Sequence, residues 1–341
     1  MLKKLSVVFA VVISIVFLLS ACGGKSQESV MKKMDKQLEK MEGYKTKAEM
    51  KMNTGQEEQV YQIDVWHKKK DFYRVALSND MDENKDQIIL KNEDGVFVLT
   101  PALEKSFKFQ TEWPENSSQS YLYQSLVKDI HEDDEATFQV TDNHYIFTTK
   151  TNYQSNNNLP YQEIYVDKKN YTPVLVKVLD KDKQSVVEVS FEQFQLDPEF
   201  KEKDFVLKEN MNKSVADVPT SSDTTEETEH IFSVMFPEYT AGAELMEEKE
   251  LDLDNGKRMI LTYGGDKKFT LIQEHKEVIP SASSVTEVKG EMIDLGHSIG
   301  ALTDNMIEWT NNGANFYLAS DQLTKDELIE VAKSVVQKNV K

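Results

Sequence analysis

The sequence predicts an α+β fold: a large curved antiparallel sheet with helices laid against it, then a small C-terminal α+β domain. Three features predict it. Apolar and polar residues alternate through many short runs, the period of half-buried strands. Helical spacing of apolar residues occurs in three places only: near residue 30, near residue 120 and close to the end. A stretch rich in serine, threonine and acids, Lys208 to His230, divides the chain.

The chain opens on Lys3 and Lys4 and an uncharged apolar run from Leu5 to Leu19. That run is shorter than the ~20 residues of a spanning helix. A basic start, an apolar middle and small residues at the end describe a signal peptide over residues 1–21. Cys22 follows Leu19-Ser20-Ala21 directly. These four residues resemble the lipobox of bacterial lipoproteins. The resemblance implies a diacylglycerol on the Cys22 thiol, cleavage just before it, and a place on the outer face of the cell membrane. Cys22 is the only cysteine, so an internal disulfide and a cysteine-built metal site are both excluded. Residues 22–28 read as a polar, lipidated tether.

Lys and Arg number 40 against 59 Asp and Glu, a net charge of −19; losing Lys3 and Lys4 with the signal takes the mature chain to −21. Such a balance repels nucleic acid and anionic headgroups. The anchor is therefore expected to be the lipid and not a basic patch. No second long apolar run follows.

The elements then read in order. Val30, Met34, Leu38 and Met41 share one helical face, and Gly43 is a stop signal. Tyr44, Thr46, Ala48, Met50 and Met52 alternate with charged residues, which makes a strand with one wet face. Tyr61-Ile63-Val65 and Tyr73-Val75-Leu77 repeat the pattern. Ile88–Leu90 and Val96–Leu99 flank an Asp94-Gly95 hairpin signal, and Phe107 and Phe109 give a further strand. A second helix is expected over Gln119–Ile130, with Leu122, Leu126 and Ile130 on one face. Strands resume at 137–140, 145–149, 163–166, 174–179 and 186–191. One domain is thus expected over 29–207, a linker over 208–230, and a small domain over 231–341. The latter has strands at 232–236, 258–263, 269–273, 305–310 and 315–318. Asn255-Gly256 and Asn312-Gly313 supply its turns, and Thr324 with Glu327 opens a capped last helix.

One string has a catalytic look. Gly296-His297-Ser298-Ile299-Gly300 matches G-x-S-x-G, but His297 is the last histidine, so no base follows Ser298 as that chemistry requires. A glycine-rich turn accounts for it better. The six histidines lack ligand spacing, and His131-Glu132-Asp133-Asp134 lacks a second histidine. Asp252 to Gly256 reads as a hairpin turn and not a calcium loop. No cofactor motif is present, and the expectation is a protein that is not an enzyme.

From Lys25 to Glu209 the order of elements resembles the LolA-like family of periplasmic lipoprotein carriers. Val65 to Arg74 is similar to the family's paired strands around a basic turn. Ile88 to Pro101 resembles its hairpin, and Phe191 to Phe205 its closing strand and tail. The resemblance implies an incomplete antiparallel β-barrel covered by helices, enclosing an apolar cavity for acyl chains. Met50, Met52, Ile63, Val65, Val75 and Leu77 would then line either that cavity or an ordinary core. Lys68, Lys69 and Lys70 form the basic turn. Where the carriers have arginine then proline, this chain has Lys69 and Lys70. Gly296 through Val336 resembles a small domain of Gram-positive exported proteins, carried by Trp309 to Gly313 and the helix after Leu323. The whole resembles the sporulation-associated, LolA-like lipoproteins of Bacillus and its relatives (YdcC type).

The functional expectation is a membrane-anchored lipoprotein whose first domain binds a lipid-like ligand or an exported protein during spore envelope formation. The alternative is a filled-core scaffold for a cell-wall remodelling enzyme.

Overall fold

The computed structural model describes residues 25–53, 58–79, 87–114, 117–153, 159–216, 234–276, 285–288, 290–296, 298–311 and 313–337. Cys22 and the expected signal peptide lie outside them.

Helix α1 (Gln27–Lys40) starts at Ser26, whose hydroxyl accepts from the Ser29 amide. It buries Val30 and Met34, as its spacing predicts. Strands β1 (Gly43–Asn53), β2 (Glu58–Lys68), β3 (Phe72–Asn79), β4 (Gln87–Asn92), β5 (Gly95–Thr100) and β6 (Lys105–Phe109) follow. Helix α2 (Tyr123–Glu132) begins a few residues later than expected. Then come β7 (Thr137–Val140), β8 (His144–Lys150), β9 (Tyr161–Asp167), β10 (Pro173–Leu179) and β11 (Ser185–Leu196). β11 returns to pair with β1 at the centre of the sheet. The result is one curved, unclosed antiparallel sheet with helices on its concave side: the expected α+β incomplete barrel.

The sheet has twelve strands because one comes from far along the chain. β16 (Val285–Val288) lies parallel to β6 and forms the edge of the sheet opposite β7. β4 and β5 are buried on both faces, which explains their unbroken apolar runs. Ile89, Val96 and Val98 face inward. Ile88, Leu90, Phe97 and Leu99 face outward under Phe205 and Met211. Met211 belongs to helix α3 (Leu207–Ala216), which occupies the start of the stretch expected to be a linker. Sequence composition hid this helix because few apolar residues hold it. Asn210 does much of the docking: its Oδ1 accepts from Arg74 Nε at 2.7 Å, and its Nδ2 donates to the carbonyls of Asp204 and Val206. Residues 217–230, the rest of the expected linker, lie outside the described residues.

The C-terminal unit is a seven-stranded antiparallel sheet. It contains β13 (Glu244–Leu253), β14 (Gly256–Gly264), β15 (Phe269–Lys276), β17 (Glu291–Asp294), β18 (Ile299–Leu302), β19 (Met306–Asn311) and β20 (Ala314–Ala319). Trp309 stacks on Phe316 in its core, with ring centres 5.0 Å apart. Helix α4 (Lys325–Lys333) carries the expected capping box of Thr324 and Glu327. β12 (Met235–Pro237) and β21 (Val335–Gln337) pair beside it. β13 was not foreseen: Glu-Leu-Met-Glu-Glu-Lys-Glu-Leu-Asp-Leu has no alternation, and in the structure most of it is exposed on both faces.

Antiparallel pairing places the turns at two ends of the large sheet. Turns at 69–71, 93–94, 141–143 and 168–172 gather at one end. α1 runs across that end. Lys25 Nζ donates to the Tyr171 hydroxyl at one side, and Lys69 Nζ donates to the Glu39 carbonyl at the other. Met52, Gln87, Thr100 and Lys105 mark the opposite end, and there the C-terminal unit docks.

Candidate functional site

Period-two alternation turns Met50, Met52, Ile63, Val65, Val75 and Leu77 to the concave side, where all are at most 8% exposed. Register brings them side by side. Ile63 lies opposite Ala48 and Leu77, and Val65 opposite Thr46 and Val75. Met50 and Met52 face Val189 and Val187. The six form one cluster with Val30 and Met34 of α1, Leu126 and Ile130 of α2, and Trp113 and Leu122 of the segment between. A third cover comes from the C-terminal unit, which contributes Met292, Ile299 and Ala301 to the same cluster.

The G-x-S-x-G string is the turn of that third cover. β17 and β18 pair as a hairpin, Leu295 N donates to the Ser298 carbonyl, and Asp294 Oδ1 accepts from Gly296 N at 2.7 Å. A nucleophile elbow joins a strand to a helix; this turn joins strand to strand. Ser298 is 4% exposed and its Oγ has no hydrogen-bond partner among the described residues. Gly296 has φ +83°, and a Cβ there would stand 2.5 Å from Met52 Cε. His297 lies outside the described residues.

At the α1 end the concave face turns aromatic. His67 stacks on Tyr73 at 4.5 Å, Tyr73 meets the edge of Trp113, and Tyr44 stacks on Phe194 at 4.9 Å. Tyr44 OH donates to Gln124 Oε1 and accepts from the Tyr123 amide. Burial pushes the His67 imidazole down to about 4, so it is neutral at pH 7. His67 Nδ1, Trp113 Nε1 and Gln124 Nε2 are buried without a hydrogen-bond partner among the described residues. Reading the sequence as scattered histidines missed His67, although it continues the inward series Ile63, Val65.

A second polar group sits under α2. Asp129 is 5% exposed and accepts from Gln162 Nε2 at 2.6 Å. Burial raises its carboxyl to about 6 against the pull of its hydrogen bonds. Asp294 is raised for the same reason. His131, weighed as a metal ligand, bridges the helices through Asp35 at 2.7 Å.

The basic turn lies outside this core. Lys68, Lys69 and Lys70 border a cavity of about 340 Å³ together with the carboxylates of Glu42 and Glu93 and with Phe72, Pro198 and Phe200. Lys69 closes the C-terminus of α1, donating its amide to the Glu42 carbonyl and its ammonium to the Glu39 carbonyl. Lys70 has φ +75°. Proline is locked near −65°, so the carriers' proline has no place in this turn. A second cavity, of about 460 Å³, lies between the units and is lined by Gln110, Glu291, Asp304 and Lys325 among others.

An unclosed antiparallel sheet, covered by two helices and by a hairpin from a second unit, defines an incomplete-barrel protein whose candidate site is its own concave face. Residues 2–205 match the family described as "Sporulation protein YdcC-like". Sporulation protein YdcC of Bacillus subtilis (strain 168) is 46% identical over 321 residues, which are 94% of this chain and 93% of that protein. The chain belongs to the YdcC-like sporulation protein family. Among solved structures, the Pseudomonas aeruginosa MucA/MucB complex contains a chain with 11% identity and a TM-score of 0.34, covering 91% of this chain and 99% of its own. A LolA superfamily protein, NE2245 from Nitrosomonas europaea, has 9% identity and a TM-score of 0.31, covering 54% of this chain and 99% of its own. The fold assignment rests on the strand order above, not on these distant likenesses.

Proposed function

We propose that this protein is a non-enzymatic lipoprotein, tethered through Cys22 to the outer face of the cell membrane, that serves spore envelope formation by holding an exported protein partner. Family membership supports the sporulation setting. One observation carries the scaffold role: all six residues of the expected acyl-chain cavity are buried under the chain's own helices and hairpin. A face already covered offers its apolar area to the fold, and recognition falls to the outer surfaces.

A lipid-like ligand is the second reading. The unpartnered His67 Nδ1, Trp113 Nε1 and Gln124 Nε2 favour it, because buried polar atoms normally have partners and a polar headgroup supplies them. One experiment separates the readings. Ile63→Asp and Val75→Asp are purified beside the wild type, and thermal unfolding and bound lipid are measured by calorimetry and native mass spectrometry. In the scaffold reading the wild type carries no lipid and both variants lose several kcal/mol or unfold, since each buries an unpaired carboxylate. Lipid on the wild type, lost from folded variants, replaces the scaffold with the carrier.

A further inference from the structure

We propose that β13, the free edge of the C-terminal sheet, is where the exported partner docks, by adding as a new strand an extended segment with lysine or arginine at every second residue. The inference deepens the scaffold reading above and rests on it.

The first ground is the edge itself. β13 ends the seven-stranded sheet and hydrogen-bonds to β14 alone. It is ten residues long, whereas β7, β16 and β17, the other ends of the two large sheets, have four residues each. A short edge is a poor template, but a long one offers a row of backbone donors and acceptors to an incoming strand. β13 contains no proline, the residue that blunts many edges. Every residue from Glu244 to Glu250 is exposed. Leu245 and Met246 flank a bulge and stand 42% and 69% exposed, apolar area that the fold leaves unused.

The second ground is charge on one face. Glu248 lies opposite Leu261, Glu250 opposite Met259 and Asp252 opposite Lys257. Directly opposed residues share a face, and Leu261 and Met259 belong to the core of this unit. The side of the sheet that is apolar in β14 is thus continued in β13 by three carboxylates. The other side of β13 presents Glu247, Lys249, Leu251 and Leu253. The acidic excess survives a count of its surroundings. From Glu238 through Lys268 there are eight carboxylates and five cations. Two of those cations, Arg258 and Lys267, are held by Glu274 and Glu327, which lie outside that stretch. Lys257 is held by Glu250 of β13 itself.

The third ground is what such an edge selects. Like charges placed directly opposite destabilise a strand pair, so this edge repels a second copy of itself. It admits a strand whose cations meet Glu248, Glu250 and Asp252 and whose intervening apolar residues lie beside Leu251 and Leu253.

The test titrates the chain 22–341 into a fluorescent nine-residue peptide in which lysine alternates with valine, read by anisotropy. The same peptide with glutamate for lysine is the control. The lysine peptide should bind at least tenfold more tightly, and the difference should fade with added salt. It should slow amide exchange across residues 244–253 and leave 137–140 unchanged. Glu248→Lys combined with Glu250→Lys alters exposed side chains, so the melting temperature should hold while the preference between the two peptides inverts. Equal binding of the two peptides, no binding, or protection elsewhere overturns the docking edge. Self-association that protects 244–253 without peptide overturns it in favour of a second copy. The peptide is a defined probe, so failure here is distinct from failure of the scaffold reading, which lipid on the purified wild type would reveal.

Discussion

Gln87 closes both backbone polar groups of Ile299, 212 residues away along the chain. Its Oε1 accepts from the Ile299 amide at 2.7 Å, and its Nε2 donates to the Ile299 carbonyl at 3.4 Å. Gln87 is buried, and the same Nε2 also reaches Thr310 Oγ1, which pairs with Thr100. The amide thus ties the start of β4 in one sheet to the β17–β18 hairpin of the other. Gln87→Leu keeps the volume but leaves the Ile299 groups dry and unpaired. We expect a loss of about 2 kcal/mol and faster amide exchange at residues 299–302. Unchanged exchange in a stable variant would remove Gln87 from the interface energetics.

Ser298 and Gly296 should behave in opposite ways. Ser298→Ala removes a buried hydroxyl that has no partner among the described residues, so stability should hold or rise slightly, with sporulation unaffected. Gly296→Ala forces a side chain into φ +83°, at a cost of about 1–2 kcal/mol, while the Met52 methyl can swing aside. Loss of function in a stable Ser298→Ala variant would restore the hydrolase.

Asp129 predicts a pH slope. Its folded-state value of about 6 exceeds the ordinary 3.8. The folded protein therefore binds the proton more tightly, and that stability is complete below pH 4 and is lost as pH rises through 6. The full effect is about 3 kcal/mol. His67 tilts the same window the other way, because its folded value of about 4 lies below 6.5 and charging it on acidification opposes the fold. Comparing Asp129→Asn with wild type isolates the aspartate. The variant should gain on wild type steadily from pH 4 to pH 7 in thermal unfolding. Parallel curves would mean that Asp129 titrates normally.

Cys22→Ala should move the protein from the membrane fraction or leave its signal uncut. Two acyl chains give stable anchoring at about 0.8 kcal/mol per buried CH₂, and the mutant has none. A mutant processed and membrane-bound like wild type would defeat the tether.

Much of the architecture is written in local pattern. Alternation from Tyr44 to Leu77 decides which side chains turn inward, because a strand repeats every two residues whatever it pairs with. The Asp94-Gly95 and Asn255-Gly256 hairpins and the Thr324–Glu327 box are equally local, and each stands where its residues put it. Family membership was legible for the same reason, in ordered motifs. Tertiary structure alone decided what covers the inward face. Nothing near Met52 in sequence announces that Gly296 will lie on it, nor does Gln87 announce Ile299. β13 became a strand against its own composition because β14 supplies its hydrogen bonds. β16 left its own sheet to pair with β6. α3 docks through a buried amide, Asn210, beside Leu207 and Met211 on the outer apolar cluster. In each case the stabilising partner is supplied from elsewhere in the fold. A local pattern encodes periodicity and turn chemistry, whereas the choice of partner depends on shape and register that exist only once the sheets have formed.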